Sequence, residues 1–430
     1  MVVDKVPGTQ GVSSSLGATD SDDAGLVIVG ASHCGVQCAF AARRGGFEER
    51  IVLIGDDPEI PYHRPPLSKD ILTGAKTVDQ VSLKPDSAYI RSKIELRAGV
   101  RVTRIDRERK VVVTDNAGEF AYSSLILATG ASPRTLQIEG SDLDNIHYLR
   151  SLGDACEIRP LDGSLAVNAV VVGGGYIGLE VAASLRKLGA RVTVVEATER
   201  LLQRVAGPAL SSFFTRIHQE EGVDVITGAQ VTGFQGEGAV SHVVLKDGRV
   251  LDADLVVVGI GVIPETELAE EAGLPVENGV LVDGRARTED PLIYAAGDCA
   301  RGYNALYQRH LRLESVQNAN DQGKVAVQNI LGIDSNYGAL PWFWSDQYDV
   351  KLQIAGLTDG ADTLVVRGDP TTGRSFSLCY VRDDVLVAVE AVNRPRDFLS
   401  AKSHIIASAR MDLLKLQDED CAIADCIVTE

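Results

Sequence analysis

Residues 26–30 form a continuous apolar run that ends in glycine, and such a run predicts a strand buried on both faces of a parallel sheet. A helix is predicted over about residues 34–44, and a second apolar run at residues 51–54 predicts the next strand. Strand, helix and strand in this order indicate a βαβ unit.

The same pattern begins again about 140 residues later. Residues 170–175 predict a strand that runs into a glycine turn, residues 176–188 predict a helix, and residues 192–196 predict the following strand. Further strands are predicted at residues 111–113, 125–128, 223–226, 243–245, 255–259 and 293–297. The chain therefore contains an internal duplication of one α/β unit.

From about residue 337 the pattern changes, because residues 375–381 and 385–392 alternate in a way that favours an antiparallel sheet. A helix is predicted over about residues 396–409. A chain of 430 residues is long enough for two or three domains, and this segment is predicted to be the third.

The composition limits the class of partner. A formal net charge of −18 argues against nucleic acid and against an anionic membrane surface, although a local cationic patch remains compatible with it. Residues 1–25 are rich in Ser, Gly, Asp and Thr and are predicted to be a disordered tail. The chain has neither a signal-peptide core nor an apolar run of roughly 18 residues, so a cytoplasmic protein is expected.

The seven cysteines are scattered and include no Cys-x-x-Cys motif, which favours free thiols in a reducing compartment. Cys421 and Cys426 are close in sequence, but no group of histidines accompanies them, so no metal site is expected.

The turn after the first predicted strand has the pattern Gly-x-Gly-x-x-Gly, with Gly30 first, Ser32 in the middle and Gly35 last. The first glycine makes the tight turn, the middle position lets a pyrophosphate approach the backbone, and the last glycine lets the helix pack on the strand. Asp56 and Asp57 follow the second strand, and either carboxylate suits the hydroxyls of an adenosine ribose.

The second turn has all three glycines of the pattern, Gly173, Gly175 and Gly178. Glu196 closes the next strand, where a carboxylate accepts from the 2′-hydroxyl and repels a 2′-phosphate, so NADH is favoured over NADPH. The alternative is an exposed glutamate at a strand end. Two dinucleotide sites without a third substrate motif indicate that a nicotinamide and a flavin dinucleotide react with each other.

Five further segments match one family: residues 61–69 (PYHRPPLSK), 128–134 (ATGASPR), 297–300 (GDCA), 313–319 (LESVQNA) and 341–345 (PWFWS). With the glycine turns, they resemble the oxygenase-coupled NADH–ferredoxin reductases, the family of putidaredoxin reductase, rhodocoxin reductase and the reductases of ring-hydroxylating dioxygenases. The resemblance implies an α/β, glutathione-reductase-like fold with two Rossmann-type dinucleotide-binding domains and a C-terminal α+β domain. The expected boundaries are residues 26–145 and 268–336 for the FAD-binding domain, 146–267 for the NADH-binding domain and 337–430 for the C-terminal domain.

The resemblance also implies roles for individual residues. Lys69 and Glu180 are expected to pair beside the reacting rings as the catalytic residues, although a glutamate early in a helix is also a favourable partner of the helix dipole. The implied FAD contacts are Gly30, Ser32, Gly35, Asp56, Asp57, Arg64, Lys69, Val102, Gly130, Arg134, Asp298, Val316 and Trp344. The implied NAD contacts are Gly173, Gly175, Ile177, Gly178, Glu180, Glu196 and Gly261.

The activity that the resemblance implies is electron transfer from NADH through FAD, one electron at a time, to a 2Fe–2S ferredoxin. The ferredoxin would feed a cytochrome P450 or a ring-hydroxylating dioxygenase. Because ferredoxins and this chain are both acidic, docking requires a local cationic patch. The candidates are Arg309, Arg312, Arg394, Arg396 and Lys402. Arg309 is preferred because residues 307–310 resemble the docking segment of putidaredoxin reductase.

Three other classes of protein share parts of this pattern. Disulfide reductases share the fold but need a redox cysteine after the second strand, and residues 58–100 contain none. Monodehydroascorbate and rubredoxin reductases would share most of the motifs. A redox-sensing protein resembling apoptosis-inducing factor is disfavoured, because the C-terminal domain lacks a long insertion.

Overall fold

The computed structural model describes residues 24–159 and 166–428. The predicted tail therefore falls almost entirely outside the described residues. Gly25, which the prediction placed in the tail, already belongs to the first strand.

The first domain is built on a seven-stranded sheet. Its first part contains β1 (Gly25–Val29), α1 (His33–Arg44), β2 (Ile51–Gly55), α2 (Asp86–Arg91), β3 (Ile94–Ala98), β4 (Val102–Asp106), β5 (Val111–Thr114) and β6 (Glu119–Leu127). Strand β1 lies between β2 and β6, parallel to both. Leu26 and Ile28 face one core and Val27 and Val29 face the other, which explains the continuous apolar run.

The connection between β2 and α2 contains two short helices. Residues Leu67–Ile71 form a five-residue π-helix and Asp79–Val81 form a 3₁₀ helix. The π-helix places Ser68 and Lys69 next to the second domain. The sequence shows no hydrophobic periodicity here that would predict a helix.

The second domain repeats the architecture. It contains β7 (Ala131–Pro133), β8 (Ile146–His147), α3 (Leu152–Ile158), β9 (Asn168–Val172), α4 (Tyr176–Lys187), β10 (Arg191–Val195), α5 (Pro208–Glu220), β11 (Val223–Ile226), β12 (Val231–Gln235), β13 (His242–Leu245), β14 (Val250–Asp252), β15 (Leu255–Val258) and β16 (Val262–Pro264). Its parallel sheet has the order β11-β10-β9-β15-β8. Strands β12–β14 form an antiparallel layer over one face, and β7 pairs with β16 beside the sheet.

The chain then returns to the first domain through α6 (Glu267–Glu271), β17 (Val280–Val282), β18 (Ile293–Ala295), β19 (Ala300–Asn304), β20 (Arg309–Leu311) and α7 (Val316–Ile330). Strand β18 joins the first sheet beside β6 in parallel register. Helix α7 packs on α1, with Ala319, Ala326 and Val327 in one cluster with Val36 and Ala39.

The third domain contains β21 (Trp342–Gln347), β22 (Val350–Gly356), β23 (Thr363–Gly368), β24 (Phe376–Arg382), β25 (Val385–Val392), α8 (Pro395–Ile406), α9 (Leu413–Gln417) and a 3₁₀ helix at Ile423–Cys426. The sheet is antiparallel, with the order β21-β22-β25-β24-β23. One face packs on α8, and the other packs against α5, where Phe376 and Leu378 share a cluster with Phe213 and Phe214. The second and third domains therefore share one core.

Within residues 24–159 and 166–428, no helix is long and apolar enough to cross a membrane. The same part of the chain contains no group of three or more His, Cys, Asp or Glu side chains arranged to hold a metal ion.

Candidate active site

The two glycine turns have the same geometry. Gly30 has φ +112° and Gly173 has φ +111°, a backbone region that favours glycine. A Cβ on Gly30 would lie 2.0 Å from the carbonyl oxygen of Ala128, and one on Gly173 would lie 2.4 Å from that of Gly259. In both domains the turn therefore presses against the neighbouring strand and leaves no room for a side chain.

The last glycine of each turn lies inside a helix. A Cβ on Gly35 would lie 1.9 Å from the Gly30 carbonyl oxygen, and one on Gly178 would lie 2.2 Å from that of Gly173. Ser32 is the N-cap of α1 and has an extended backbone, so this position does not require glycine and accepts serine. Each turn thus aims the N-terminus of a 12-residue helix at a ligand position.

A cleft lies between the three domains. It opens at the carboxyl ends of β1 and β18, the edge at which open α/β sheets bind ligands. The predicted site residues that line it are Ser32, Arg64, Lys69, Gly130, Ile177, Glu180, Asp298, Val316 and Trp344.

Two guanidinium groups meet at the first glycine turn. Arg64 donates to Ser32 Oγ at 3.1 Å and to the carbonyl oxygen of Arg150 at 2.5 Å. Burial lowers the pKa of Arg150, and the nearby charge of Arg64 lowers it further. Asp298, 3.7 Å from Arg150, is the one carboxylate that ion-pairs with these two arginines within the described ranges. The turn, the helix N-terminus and the excess of positive charge fit a bound pyrophosphate.

The sequence did not predict a role for Arg150 or His33. Arg150 lies 86 residues from Arg64, and only the fold brings them together. His33 starts α1, lines the cleft and faces His63, with 3.3 Å between Nε2 and Nδ1. Burial lowers the pKa of His33 to about 3, so its imidazole is neutral.

Asp298 follows β18 and faces the cleft. Burial raises the pKa of Asp298, while the charge of Arg150 opposes this shift. Its position at a strand end beside the glycine turn suits a hydroxyl-rich chain such as the ribityl group of FAD.

Lys69 and Glu180 form an ion pair inside the cleft. Glu180 lies on α4 with only 7% of its side chain exposed, and Ser68 Oγ donates to its Oε2 at 2.6 Å. Ser345 Oγ donates to Oε1 at 2.7 Å. Three segments from different domains thus converge on one carboxylate.

Glu196 contacts the second glycine turn directly. Its Oε2 accepts from the Gly174 amide at 2.6 Å, and its Oε1 accepts from the Thr198 amide at 2.7 Å. The carboxylate is therefore held where the ribose of a dinucleotide on this turn would lie. Gly261 has φ +104° and lies beside Arg204.

Six predicted FAD contacts do not line the cleft: Gly30 and Gly35, which shape the first glycine turn, and Asp56, Asp57, Val102 and Arg134. Asp56 is exposed and pairs with Arg101 at 2.8 Å, while Asp57 accepts from the Tyr62 hydroxyl at 2.6 Å. Val102 is the buried first residue of β4. Asp56 and Asp57 follow β2, whereas Val102 begins β4, and the contacts of all three with FAD stay predictions. Arg134 is exposed, and its backbone amide donates to the Gly261 carbonyl at 2.9 Å. The structure does not place its side chain in the cleft.

The side chains of β21 alternate between two environments. The Phe343 ring packs on Tyr176 with 4.4 Å between centroids. The Trp342 and Trp344 rings lie 5.6 Å apart on the other side, and Lys402 Nζ lies 4.7 Å from the Trp342 ring centroid.

Two family models match the chain. Residues 24–323 match the model described as pyridine nucleotide-disulphide oxidoreductase, and residues 342–427 match the model described as reductase C-terminal. The first match covers both glycine turns, and the second covers the sheet that carries Trp344.

Relatives narrow the family. Putidaredoxin reductase from Pseudomonas putida is 42% identical over 410 residues, which cover 94% of this chain and 96% of the relative. The ferredoxin–NAD(+) reductase component of the anthranilate 1,2-dioxygenase system from Burkholderia cepacia is 41% identical, over 91% of this chain and 97% of the relative. The chain belongs to the ferredoxin reductases of this family.

A solved structure agrees with the assignment. The reductase in the covalent complex of putidaredoxin reductase with putidaredoxin superposes on this ferredoxin reductase with a TM-score of 0.89 at 42% identity, over 93% of this chain and 96% of that one. The predicted fold class is confirmed.

All seven cysteines of the reductase lie in the part of the chain that the structure describes, and all are free. Cys34 lines the cleft, but burial and a hydrogen bond with Cys38 raise the pKa of its thiol. Within the described ranges, no disulfide borders the cleft.

The predicted docking residues of the reductase differ in exposure. Arg309 is 46% exposed and pairs with Asp359 at 2.5 Å, and Arg396 is exposed. Arg394 is largely covered and pairs with Glu419. Arg312 is 13% exposed and pairs with Glu314 at 2.7 Å beside the cleft, and its role in docking stays a prediction.

Proposed function

We propose that this reductase, in the cytoplasm, transfers a hydride from NADH to FAD. It then delivers the electrons one at a time to a 2Fe–2S ferredoxin that supplies a cytochrome P450 or a ring-hydroxylating dioxygenase. The observation that carries the proposal is the Lys69–Glu180 pair, which lies in a single cleft between two dinucleotide turns.

The first turn suits FAD. Gly30 and Gly35 leave the helix N-terminus open to a pyrophosphate, and Arg64 and Arg150 supply the positive charge that such an anion needs. Asp298 would accept from the ribityl hydroxyls. When bound, FAD accepts a hydride and releases its electrons singly.

The second turn suits NADH. Gly173 and Gly178 form the same open turn, and Glu196 is fixed by two backbone amides at the ribose position. A 2′-phosphate would meet this carboxylate in a like-charge contact. Ile177 and Glu180, on the first turns of α4, would face the nicotinamide in the cleft and fix its distance from the flavin ring.

A ferredoxin is proposed as the electron acceptor for two reasons. The relatives belong to ferredoxin systems, and no disulfide borders the cleft among the described residues. The names of both relatives describe reductases of ferredoxin systems. Putidaredoxin reductase was solved in a covalent complex with putidaredoxin. Among the described residues, Cys34 is the one cysteine that lines the cleft, and it is buried. Transfer of electrons from an exposed flavin edge to a docked protein is therefore the simpler route. Arg309 and Arg396 supply exposed positive charge for docking.

The test is a panel of acceptors. Purified reductase with NADH is assayed against several 2Fe–2S ferredoxins, a rubredoxin, monodehydroascorbate and ferricyanide, and the released flavin is identified by chromatography. We expect FAD, and the highest kcat/KM for a 2Fe–2S ferredoxin. A preference for rubredoxin or monodehydroascorbate would replace the proposed acceptor, and slow turnover with every acceptor would support a redox sensor instead.

A further inference from the structure

Behind Glu180, a chain of side-chain hydrogen bonds leads away from the cleft. Ser345 Oγ donates to Glu180 Oε1 at 2.7 Å, and Gln347 Nε2 donates to Ser345 Oγ at 3.1 Å. Gln347 Oε1 lies 2.8 Å from His218 Nε2, and the Tyr348 hydroxyl lies 3.1 Å from His218 Nδ1. Ser345, Gln347 and Tyr348 belong to β21 and the turn after it, whereas His218 belongs to α5 of the second domain.

Every bond in this chain has one consistent direction. An ionised carboxylate only accepts, so the Ser345 hydroxyl donates to Glu180 and has its lone pairs free for the Gln347 amide. The amide oxygen of Gln347 then requires a proton on His218 Nε2. This leaves His218 Nδ1 as the acceptor for the Tyr348 hydroxyl. Four donors in series therefore end on the one carboxylate.

The members of the chain are uncharged, and all except the partly buried Tyr348 are fully buried. Ser345 and His218 are 0% exposed and Gln347 is 1% exposed. Burial lowers the pKa of His218 to about 4, which keeps the imidazole neutral, and burial raises the pKa of Tyr348. Among the described residues, Lys69 is thus the charged partner that contacts Glu180.

The charged groups around the far end are separated from Glu180 by this chain. Glu221, Arg186 and Arg374 act on Tyr348, and Glu221 also acts on His218. A neutral hydrogen-bond chain of this kind fixes orientation without adding a second charge, and a buried polar group is costly unless its partners are all in place.

We propose that Ser345 and Gln347, held in place by His218, are positioning residues for hydride transfer. They fix the Glu180 carboxylate as an ionised group directed at Lys69, and they act through Glu180 rather than by touching the nicotinamide. The inference rests on the proposed role of Glu180. It gives the third domain a part in the NADH half of the reaction, because Ser345 and Gln347 lie on β21.

The experiment measures flavin reduction by NADH in stopped flow over a range of pH. The variants are Ser345→Ala, Gln347→Leu, Glu180→Gln and the double variant Ser345→Ala/Glu180→Gln. The matched control is Ser377→Ala, because Ser377 is also 0% exposed on the same sheet and donates to a carboxylate, that of Asp397 at 2.9 Å. FAD content and Tm are recorded for each variant.

We expect Ser345→Ala to slow flavin reduction by about tenfold, the scale of one hydrogen bond to a charged group, with FAD still bound. The acid limb of its pH profile should move to higher pH, because each lost donor disfavours the ionised form. Gln347→Leu should give a smaller change in the same direction. The double variant should be no slower than Glu180→Gln, since residues that act through one group are not additive.

Several results would overturn the inference. An unchanged pH profile in Ser345→Ala, or a slowing matched by Ser377→Ala, would mean a structural role only. Additive losses in the double variant would show that Ser345 acts independently of Glu180. If Glu180→Gln alone left the rate unchanged, the proposed role of Glu180 would fail, and the positioning chain with it. If Glu180→Gln were slow while Ser345→Ala and Gln347→Leu were normal, only the positioning chain would fail.

Discussion

Lys69 and Glu180 form an ion pair across the boundary between the first and second domains, although 111 residues separate them in sequence. Lys69 comes from the π-helix of the first domain and Glu180 from α4 of the second. The π-helix and α4 also contact through the Ser184 hydroxyl, which donates to the Ser68 carbonyl at 2.6 Å. The pair therefore depends on how the two domains are docked.

The first prediction concerns hydride transfer. Glu180→Ala should slow the reduction of bound flavin by NADH by roughly tenfold or more, because Lys69 loses its partner and the nicotinamide loses a positioning group. Direct transfer between the two rings needs no proton acid, so the effect is one of geometry. Stopped-flow absorbance of the flavin measures it.

The control for this prediction is Glu237→Ala, since Glu237 is exposed on the antiparallel layer of the second domain. FAD content should be equal in both variants. A normal reduction rate in Glu180→Ala would show that this glutamate only favours the start of α4.

The second prediction concerns nicotinamide choice. The native reductase should prefer NADH in kcat/KM by about tenfold to a thousandfold, or about 1.4 to 4 kcal/mol. Glu196→Ala should narrow this preference, because the carboxylate held at the Gly174 amide is removed. Glu199→Ala, three positions along and exposed, should keep the native preference. Equal kinetics with NADH and NADPH in the native protein would refute the role of Glu196.

The third prediction concerns docking. Arg309→Glu should raise the KM for the ferredoxin several-fold and flatten the dependence of its reduction on ionic strength, because one exposed cation is replaced by an anion. NADH reduction of ferricyanide should be unchanged. Asp359→Asn should have the opposite effect on the KM, since Asp359 partly neutralises Arg309.

Arg249→Glu is the matched control for docking. Arg249 is 49% exposed and pairs with Asp247 at 2.7 Å, much as Arg309 pairs with Asp359, but it lies on β13–β14 of the second domain, away from the cleft. If ferricyanide reduction also falls in Arg309→Glu, Arg309 is structural. If neither activity changes, the ferredoxin docks elsewhere.

The fourth prediction concerns pH and stability. Glu390 on β25 is 1% exposed and accepts from the Tyr380 hydroxyl at 2.9 Å. Burial raises the pKa of Glu390 from its ordinary value of 4.5 to about 7, with the charge of Arg200 opposing the shift. Because the folded state holds this proton more tightly than the unfolded state, the free energy of unfolding falls between about pH 4.5 and 7 and levels off above.

Glu390→Gln should remove that part of the pH dependence and stabilise the protein above pH 7 by on the order of 3 kcal/mol. The amide oxygen can still accept from Tyr380. Tm measured at pH 5 and at pH 8 tests the effect, with the exposed Glu237→Gln as control. Parallel Tm shifts of Glu390→Gln and the native protein would contradict it.

The parts of the fold that local chemistry dictates were predictable. Both glycine turns were predicted from the spacing of their glycines. The turns require glycine, because a Cβ at Gly30 or Gly173 would overlap a neighbouring carbonyl oxygen. The strands predicted at residues 223–226 and 385–392 match β11 and β25, and the predicted helices at residues 34–44 and 176–188 match α1 and α4 to within one residue.

The parts of the site that depend on long-range contacts could not be predicted from the sequence. Arg150 is an ordinary arginine in the sequence and becomes a cleft residue because α3 and the first glycine turn meet. Ser345 lies within one of the five family motifs, but its hydrogen bond to Glu180 joins residues that are 165 positions apart. Arg312 was predicted as a docking residue, but its ion pair with Glu314 and its small exposed fraction could not be predicted. Charge alone does not tell a free surface arginine from a buried one.

The shared core of the second and third domains restricts how such reductases can exchange parts. Phe376 and Leu378 of the third domain fill the same cluster as Phe213 and Phe214 of α5. A chimera with the C-terminal domain of a relative would pack this shared apolar cluster poorly, unless the face of α5 that contacts it were taken from the same relative. Acceptor preference carried on the C-terminal domain would then be inherited together with the nicotinamide-binding domain.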